Sequence, residues 1–289
     1  MSGRWRLPLR FVALGYLLVL IVLPVGFVFY RAFQHGFAAA WDAVTTPDAL
    51  HALWLTLLVV LIAVTADTIF GVGTSLILAR HRFRGAWLLD AFIDLPLAIS
   101  PVVVGLSLIL VYGHTGWFGN WLAAHGIAVI FSVPGIVMAS ATVALPYVVR
   151  EVLPVLQEIG TEQEQAAATL GAGPWQIFWR VTLPSIRWGL AYGVTLTTAR
   201  VLGEFGALSV VAGDVLGHTQ TLTLYVGGLF ENFDMVGADV GAVILAVITL
   251  VVLAVLSVSK PEKGSPSWRS KFGASRRGSE TSPLSTTSP

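Results

Sequence analysis

Gln165-Ala166-Ala167-Ala168-Thr169-Leu170-Gly171, followed after nine residues by Val181-Thr182-Leu183-Pro184, lies in a polar stretch between long apolar segments. Ala and Leu are strong helix formers, Gly171 can supply the positive φ that ends a helix, and Pro174 suits the first turn of the next one. The pattern predicts helix, tight turn, helix within roughly residues 151–185. What flanks it decides the fold. Six stretches are apolar over about the 20 residues that a spanning helix needs: roughly 11–31, 52–79, 88–112, 127–149, 187–211 and 238–259. With 55% hydrophobic and 11% charged residues, the chain cannot form an ordinary water-facing surface. None of the stretches alternates as a barrel strand does. The fold class expected is an all-α polytopic membrane protein with six transmembrane helices and one structured polar loop.

Net charge says little, but the placement of Lys and Arg says much. Arg4, Arg6 and Arg10 precede the first span, Arg80, Arg82 and Arg84 separate the second from the third, and Arg150, Arg180 and Arg187 surround the polar loop. Six Lys or Arg follow the last span, whereas segments 32–51, 113–126 and 212–237 contain none. By the positive-inside rule both termini and the polar loop are cytoplasmic. The domain organisation expected is a cytoplasmic N-terminus (1–10), a six-helix membrane domain (11–259) and a disordered cytoplasmic tail (260–289) rich in Ser, Thr, Pro and basic residues. A cleaved signal peptide is the rival reading of the first span. Its apolar core of about 20 residues exceeds the usual 7–15, which favours a retained helix.

No catalytic constellation is present. The six histidines are scattered without metal-ligand spacing, and there is no nucleophile elbow and no phosphate-binding GxxxxGK[ST] loop. The absence of cysteine excludes disulfides, thiolate metal sites and thiol nucleophiles. An enzyme is therefore not expected, nor a metal, a cofactor or a nucleic-acid partner. Contact chemistry is expected instead in the polar loop. Ala166, Ala167 and Leu170 offer a small face to a groove on another protein, while Trp175, Ile177, Phe178 and Trp179 follow on the second helix. The same residues also describe an amphipathic hairpin resting on headgroups. Both readings can hold at once, with one helix docking and the other anchoring.

Two membrane segments carry unusual chemistry. In Ile93 through Gly105, Pro96 and Pro101 remove helix donors five residues apart, which predicts a kinked third span, either with Ser100 and Pro101 facing a path or with the kink packed against neighbouring helices. In the fifth stretch, Arg200 and Glu204 stand one helical turn apart and can pair. Charges at this depth mark either a pathway or a closed pair that fixes packing, and both alternatives stay open. Gly203, Gly206, Ala199 and Ala207 suit close approach to a symmetry-like mate. Asp67 has no basic partner on its own helix, and Thr65 or a neighbouring helix is its expected hydrogen-bond partner.

The spacing from Gln165 to Pro184 resembles the EAA loop of bacterial ABC importer permeases, written Glu-Ala-Ala, three residues, Gly, nine residues, Ile-x-Leu-Pro. Gln165 stands at the family's Glu and Val181 at its Ile, with Glu164 one position away and about 100° further round the helix. Ile93 through Gly105, Ala199 through Gly206, Ser209 through Gly213 and Thr219 through Leu222 are similar to segments of the sulfate and molybdate branch of type I ABC importers. The resemblance covers about residues 50–258 and lies nearest the sulfate/thiosulfate permeases, with molybdate or tungstate permeases as the alternative.

The resemblance implies an inner-membrane subunit paired with a homologous second permease, two copies of an ATP-binding subunit and an extracytoplasmic sulfate-binding protein. It implies ATPase docking by Glu164, Gln165, Ala166, Ala167, Leu170 and Gly171, and a translocation path that includes Ser100, Pro101, Arg200 and Glu204. Alternating access driven by the ATPase is the mechanism it implies. A secondary anion transporter is the rival class. It should show inverted repeats with paired interrupted helices, and the sequence displays only one strongly interrupted span.

Overall fold

The computed structural model describes residues 6–258, among which every regular element is helical. The tail expected over 260–289, and the start of the segment expected over 1–10, lie outside the described residues. The chain opens with α1 (Arg6–Leu17) and α2 (Leu23–Phe33), joined by a π-helical turn at Leu18–Val22. After the short α3 (Phe37–Val44) comes α4 (Pro47–Arg80), 34 residues long. The start of α4 is well specified: Thr46 Oγ1 accepts the Ala49 N–H at 3.3 Å, Pro47 occupies the first turn, and Asp48 faces the positive end of the dipole. At 1.5 Å per residue α4 extends about 51 Å, well beyond a hydrocarbon core of about 30 Å. The helix is thus longer than the apolar layer is thick, and it ends at Arg80.

Next come α5 (Ala86–Ala98), α6 (Pro101–Tyr112), the short α7 (Gly119–Ala124) and the central α8 (Val133–Ile159). The polar loop holds α9 (Glu162–Thr169) and α10 (Pro174–Ile177). A second π-helical turn, Phe178–Thr182, leads into α11 (Leu183–Leu202), and α12 (Leu208–Val211), α13 (Leu222–Glu231) and α14 (Met235–Val258) complete the order. Both π-turns end at a Leu-Pro pair, Leu23-Pro24 and Leu183-Pro184. Proline cannot donate to the carbonyl four residues back, so the preceding turn loses a bond and widens.

α8 is the core, with α4 and α11 packed along it. Glycines allow that approach at one level of α8. A Cβ on Gly71 would lie 2.6 Å from a Val148 methyl, and one on Gly193 would lie 3.2 Å from the Val148 Cα. Leu55, Val59, Ala63, Ile136, Ala139, Val143, Val201 and Leu208 fill one end of this interface, and Val72, Val152, Leu156 and Ile186 the other.

Four of the six expected spans appear as single long helical stretches, and the other two are interrupted. Among the described residues, four helical stretches are long and apolar enough to cross a membrane: Val12–Phe33, Pro47–Arg80, Val133–Ile159 and Met235–Ala254. A fifth requires counting α5 and α6 together, and these are bent by 115°, a break rather than a kink. Ser100, extended at φ −59° and ψ 136° as a residue before proline must be, separates them. The pair nevertheless follows α8 from end to end. Asp94 of α5 meets Arg150, while Gly105 of α6 packs on Val211, which also touches Gly135 at the start of α8. The stretch expected over 187–211 is interrupted too, because α11 stops at Leu202 and a non-helical turn precedes α12. With Arg187, Arg200 and several threonines, α11 is too polar to meet the standard of the other spans.

Candidate functional site

The polar loop adopts the expected helix, tight turn, helix. α9 ends in a Schellman motif: the Ala172 N–H reaches the Ala167 carbonyl at 3.1 Å, the Gly171 N–H reaches that of Ala168 at 3.0 Å, and Gly171 has φ +85°. Only a residue without Cβ takes that conformation at no steric cost. Pro174 opens α10, and the Gly173 N–H is held by the Gln176 side chain at 3.2 Å.

The turn lifts Leu170 away from the body, leaving it 89% exposed. Gln165 and Ala166 are exposed beside it, whereas Ala167 is half-buried. Trp175 and Trp179 are also exposed and stand edge to face at 5.8 Å, while Phe178 turns inward onto the cluster of Val152, Leu156 and Ile186. The second helix thus carries an aromatic outer face suited to headgroup depth.

Glu164 points the other way. Its Oε2 lies 3.0 Å from Arg80 Nε, and its Oε1 accepts from an Arg80 terminal nitrogen at 3.0 Å and from Thr182 Oγ1 at 2.8 Å. Arg80 also donates to the Leu156 carbonyl of α8 at 3.0 Å. Sequence reading missed Arg80 and Thr182. Arg80 registers there only as one of three basic residues that orient the chain, and nothing local ties it to a carboxylate 84 positions on.

A second constellation joins the two breaks. A Cβ on Gly206 would meet Pro101 Cβ at 3.2 Å, and one on Gly105 would lie 2.7 Å from the Ala207 carbonyl oxygen, so the start of α6 nests against residues 205–211. The small residues Gly206 and Ala207 therefore serve packing within this chain. Arg200 and Glu204 do pair, at 2.5 Å. Glu204, 1% exposed, spends its other oxygen on the Ala207 N–H at 2.8 Å, and its backbone carbonyl accepts from Thr223 Oγ1 at 2.8 Å. Glu204 thus holds the turn between α11 and α12 and ties it to α13. Arg200 keeps a quarter of its side chain exposed. Pro101, next to Ser100, packs against Gly206, two residues beyond Glu204, and Arg200 stands one turn before Glu204.

Arg150 also has partners that the sequence reading did not assign. It forms a two-bond ion pair with Asp94, its Nε donating at 2.8 Å, and lies 3.8 Å from Asp90. Asp67 is 2% exposed, and one of its oxygens has no hydrogen-bond partner among the described residues. Thr65, the partner suggested by sequence, instead donates to the Leu61 carbonyl at 2.6 Å. No cluster of three or more metal-ligating side chains occurs among the described residues.

Long apolar helices around one central helix, two broken helical stretches packed on each other, and a polar helix pair at the helix ends make up the fold. Residues 71–260 match the family of binding-protein-dependent transport system inner membrane components, and the chain belongs to that family. It is 48% identical over 252 residues to the sulfate transport system permease protein CysW of Synechocystis, covering 87% of this chain and 91% of that one. It is also 37% identical to the sulfate transport system permease protein CysT of Escherichia coli K12, covering 88% and 94%. The fold is similar to a chain of a bacterial alginate ABC transporter solved in complex with an alginate-bound periplasmic protein. That match has a TM-score of 0.72 at 17% identity and covers 87% of this chain and 92% of the other. The likeness extends to fold alone.

Proposed function

We propose that this chain is a permease subunit of an ATP-driven sulfate importer, that it lines the translocation path, and that α9 docks on a partner ATPase. The observation that carries the docking reading is the exposed Leu170 beside Gln165 and Ala166, on a helix whose end is fixed by Gly171. An apolar tip on a polar loop suits a groove on another protein. The substrate reading rests on likeness to sulfate permeases over nearly the whole chain.

Likeness to both CysW and CysT, two permeases with separate names, supports pairing with a homologous second subunit. Two ATPase copies and an extracytoplasmic binding protein complete the assembly. In the proposed orientation α9, α10 and both termini face the cytoplasm, with residues 11–259 as the membrane domain. Arg200 acts on the path through its field, and Glu204 partly neutralises it while holding the turn. Specificity for sulfate then resides chiefly in the binding protein.

Uptake of radiolabelled sulfate tests this in cells lacking their own sulfate permeases and supplied with the full set of subunits. Uptake that requires this chain and resists excess molybdate is expected. Molybdate uptake without sulfate uptake would reassign the substrate, and uptake without the ATPase would overturn the class.

A further inference from the structure

We infer that Arg80, Glu164 and Thr182 form the latch through which movement of α9 reaches the membrane helices, with Glu164 as a positioning residue rather than part of the docking face. The inference rests on the proposed docking of α9 and adds how the docked helix pulls on the rest.

α9 is poorly held by anything else. It buries no side chain of its own. The glycines at its two ends, Gly160 at φ +69° and Gly171 at φ +85°, have no atom within 4 Å of where a Cβ would sit. With few contacts of its own, this short helix has freedom to shift against the helices beside it. One carboxylate counters that freedom. Through Arg80 it grips the end of α4, through the second donor set of Arg80 it grips the carbonyl of Leu156 in α8, and through Thr182 it grips the turn entering α11.

The geometry favours a stiff connection. An arginine held at Glu164 Oε1 by one terminal nitrogen and at the Leu156 carbonyl by the other resists rotation better than a single point contact. Both side chains are largely buried, at 14% and 20% exposure, so water competes weakly. The void beside them is about 10 Å³, at the lower limit for one water. The Leu183-Pro184 pair gains a role here, because the widened turn before it carries the buried Thr182 that donates to Glu164.

The test uses the complete complex in proteoliposomes with sulfate and a sulfate-loaded binding protein, measuring ATPase retention, ATP hydrolysis and sulfate moved per ATP. Glu164→Ala and Arg80→Ala are expected to keep the ATPase subunit bound but to lower sulfate per ATP about tenfold, within the usual size of a coupling free energy. The exchanged pair Arg80→Glu with Glu164→Arg is expected to recover part of that ratio. Where an alanine variant inserts poorly, Glu164→Gln and Thr182→Val are read instead, each removing one element of the latch.

Wild-type sulfate per ATP in inserted latch variants overturns the proposal, as does loss of the ATPase from Glu164→Ala, which would make Glu164 a docking contact. Leu170→Asp, run in parallel, reports on docking alone. If it keeps the ATPase, the docking reading fails whatever the latch variants do.

Discussion

At the scale of single residues, Glu204 shows how one side chain can serve two ends. One oxygen neutralises Arg200 and the other closes the turn through the Ala207 N–H. Glu204→Ala should lower membrane abundance, because a buried donor left unpaired costs about 1–3 kcal/mol. Glu204→Gln keeps an acceptor for Ala207 and should be better tolerated. Combining Arg200→Ala with Glu204→Ala removes both charges but leaves the Ala207 N–H without its acceptor, so abundance should stay below wild type. Full recovery in an immunoblot of membranes would show that the ion pair is the whole of what Glu204 does. The sequence spacing of Arg200 and Glu204 revealed the pair, since one helical turn is a local relation. It concealed the capping bond, which exists only because α11 ends at Leu202 rather than continuing through Glu204.

At the scale of elements, the breaks matter more than the helices. Pro96 and Pro101 made the first break legible, although as a kink; the 115° turn depends on α6 finding residues 205–211 to pack against. The second break was hidden, because Gly203 and Gly206 in an apolar run read equally well as a close-packed helix. The helix–turn–helix of the polar loop was fully legible, since Gly171 and Pro174 act locally. Packing at the first break yields a sharp expectation. Gly105→Ala would set a Cβ 2.7 Å from the Ala207 carbonyl oxygen, a backbone atom that cannot swing aside. Its melting temperature in detergent should fall, in keeping with an overpacking cost of about 1–3 kcal/mol. Gly73→Ala meets no atom within 4 Å and lies inside α4, so it should leave stability unchanged or raise it by up to about 1 kcal/mol. Equal behaviour of the two would refute the close nesting of α6.

At the scale of the whole molecule, α4, α8 and α11 form a rigid frame whose far end carries the polar loop, and α5 with α6 and the turn at Glu204 form the interrupted part. Composition alone announced the membrane bundle, because 55% hydrophobic residues leave few other folds. Neither composition nor spacing could announce that Arg80, Glu164 and Thr182 converge, because that depends on how three helix ends are stacked. The central claim is that the exposed tip of α9 meets the ATPase, and the chain's lack of cysteine makes it directly measurable. Leu170→Cys supplies a single thiol at the tip, and Trp117→Cys supplies one on the loop between α6 and α7, where Trp117 is also 89% exposed. A thiol-attached photoreactive group is activated in the assembled complex and the captured subunit is identified by mass spectrometry. Capture of the ATPase subunit from Leu170→Cys and not from Trp117→Cys is the expected result; capture of the ATPase from Trp117→Cys alone would contradict the account.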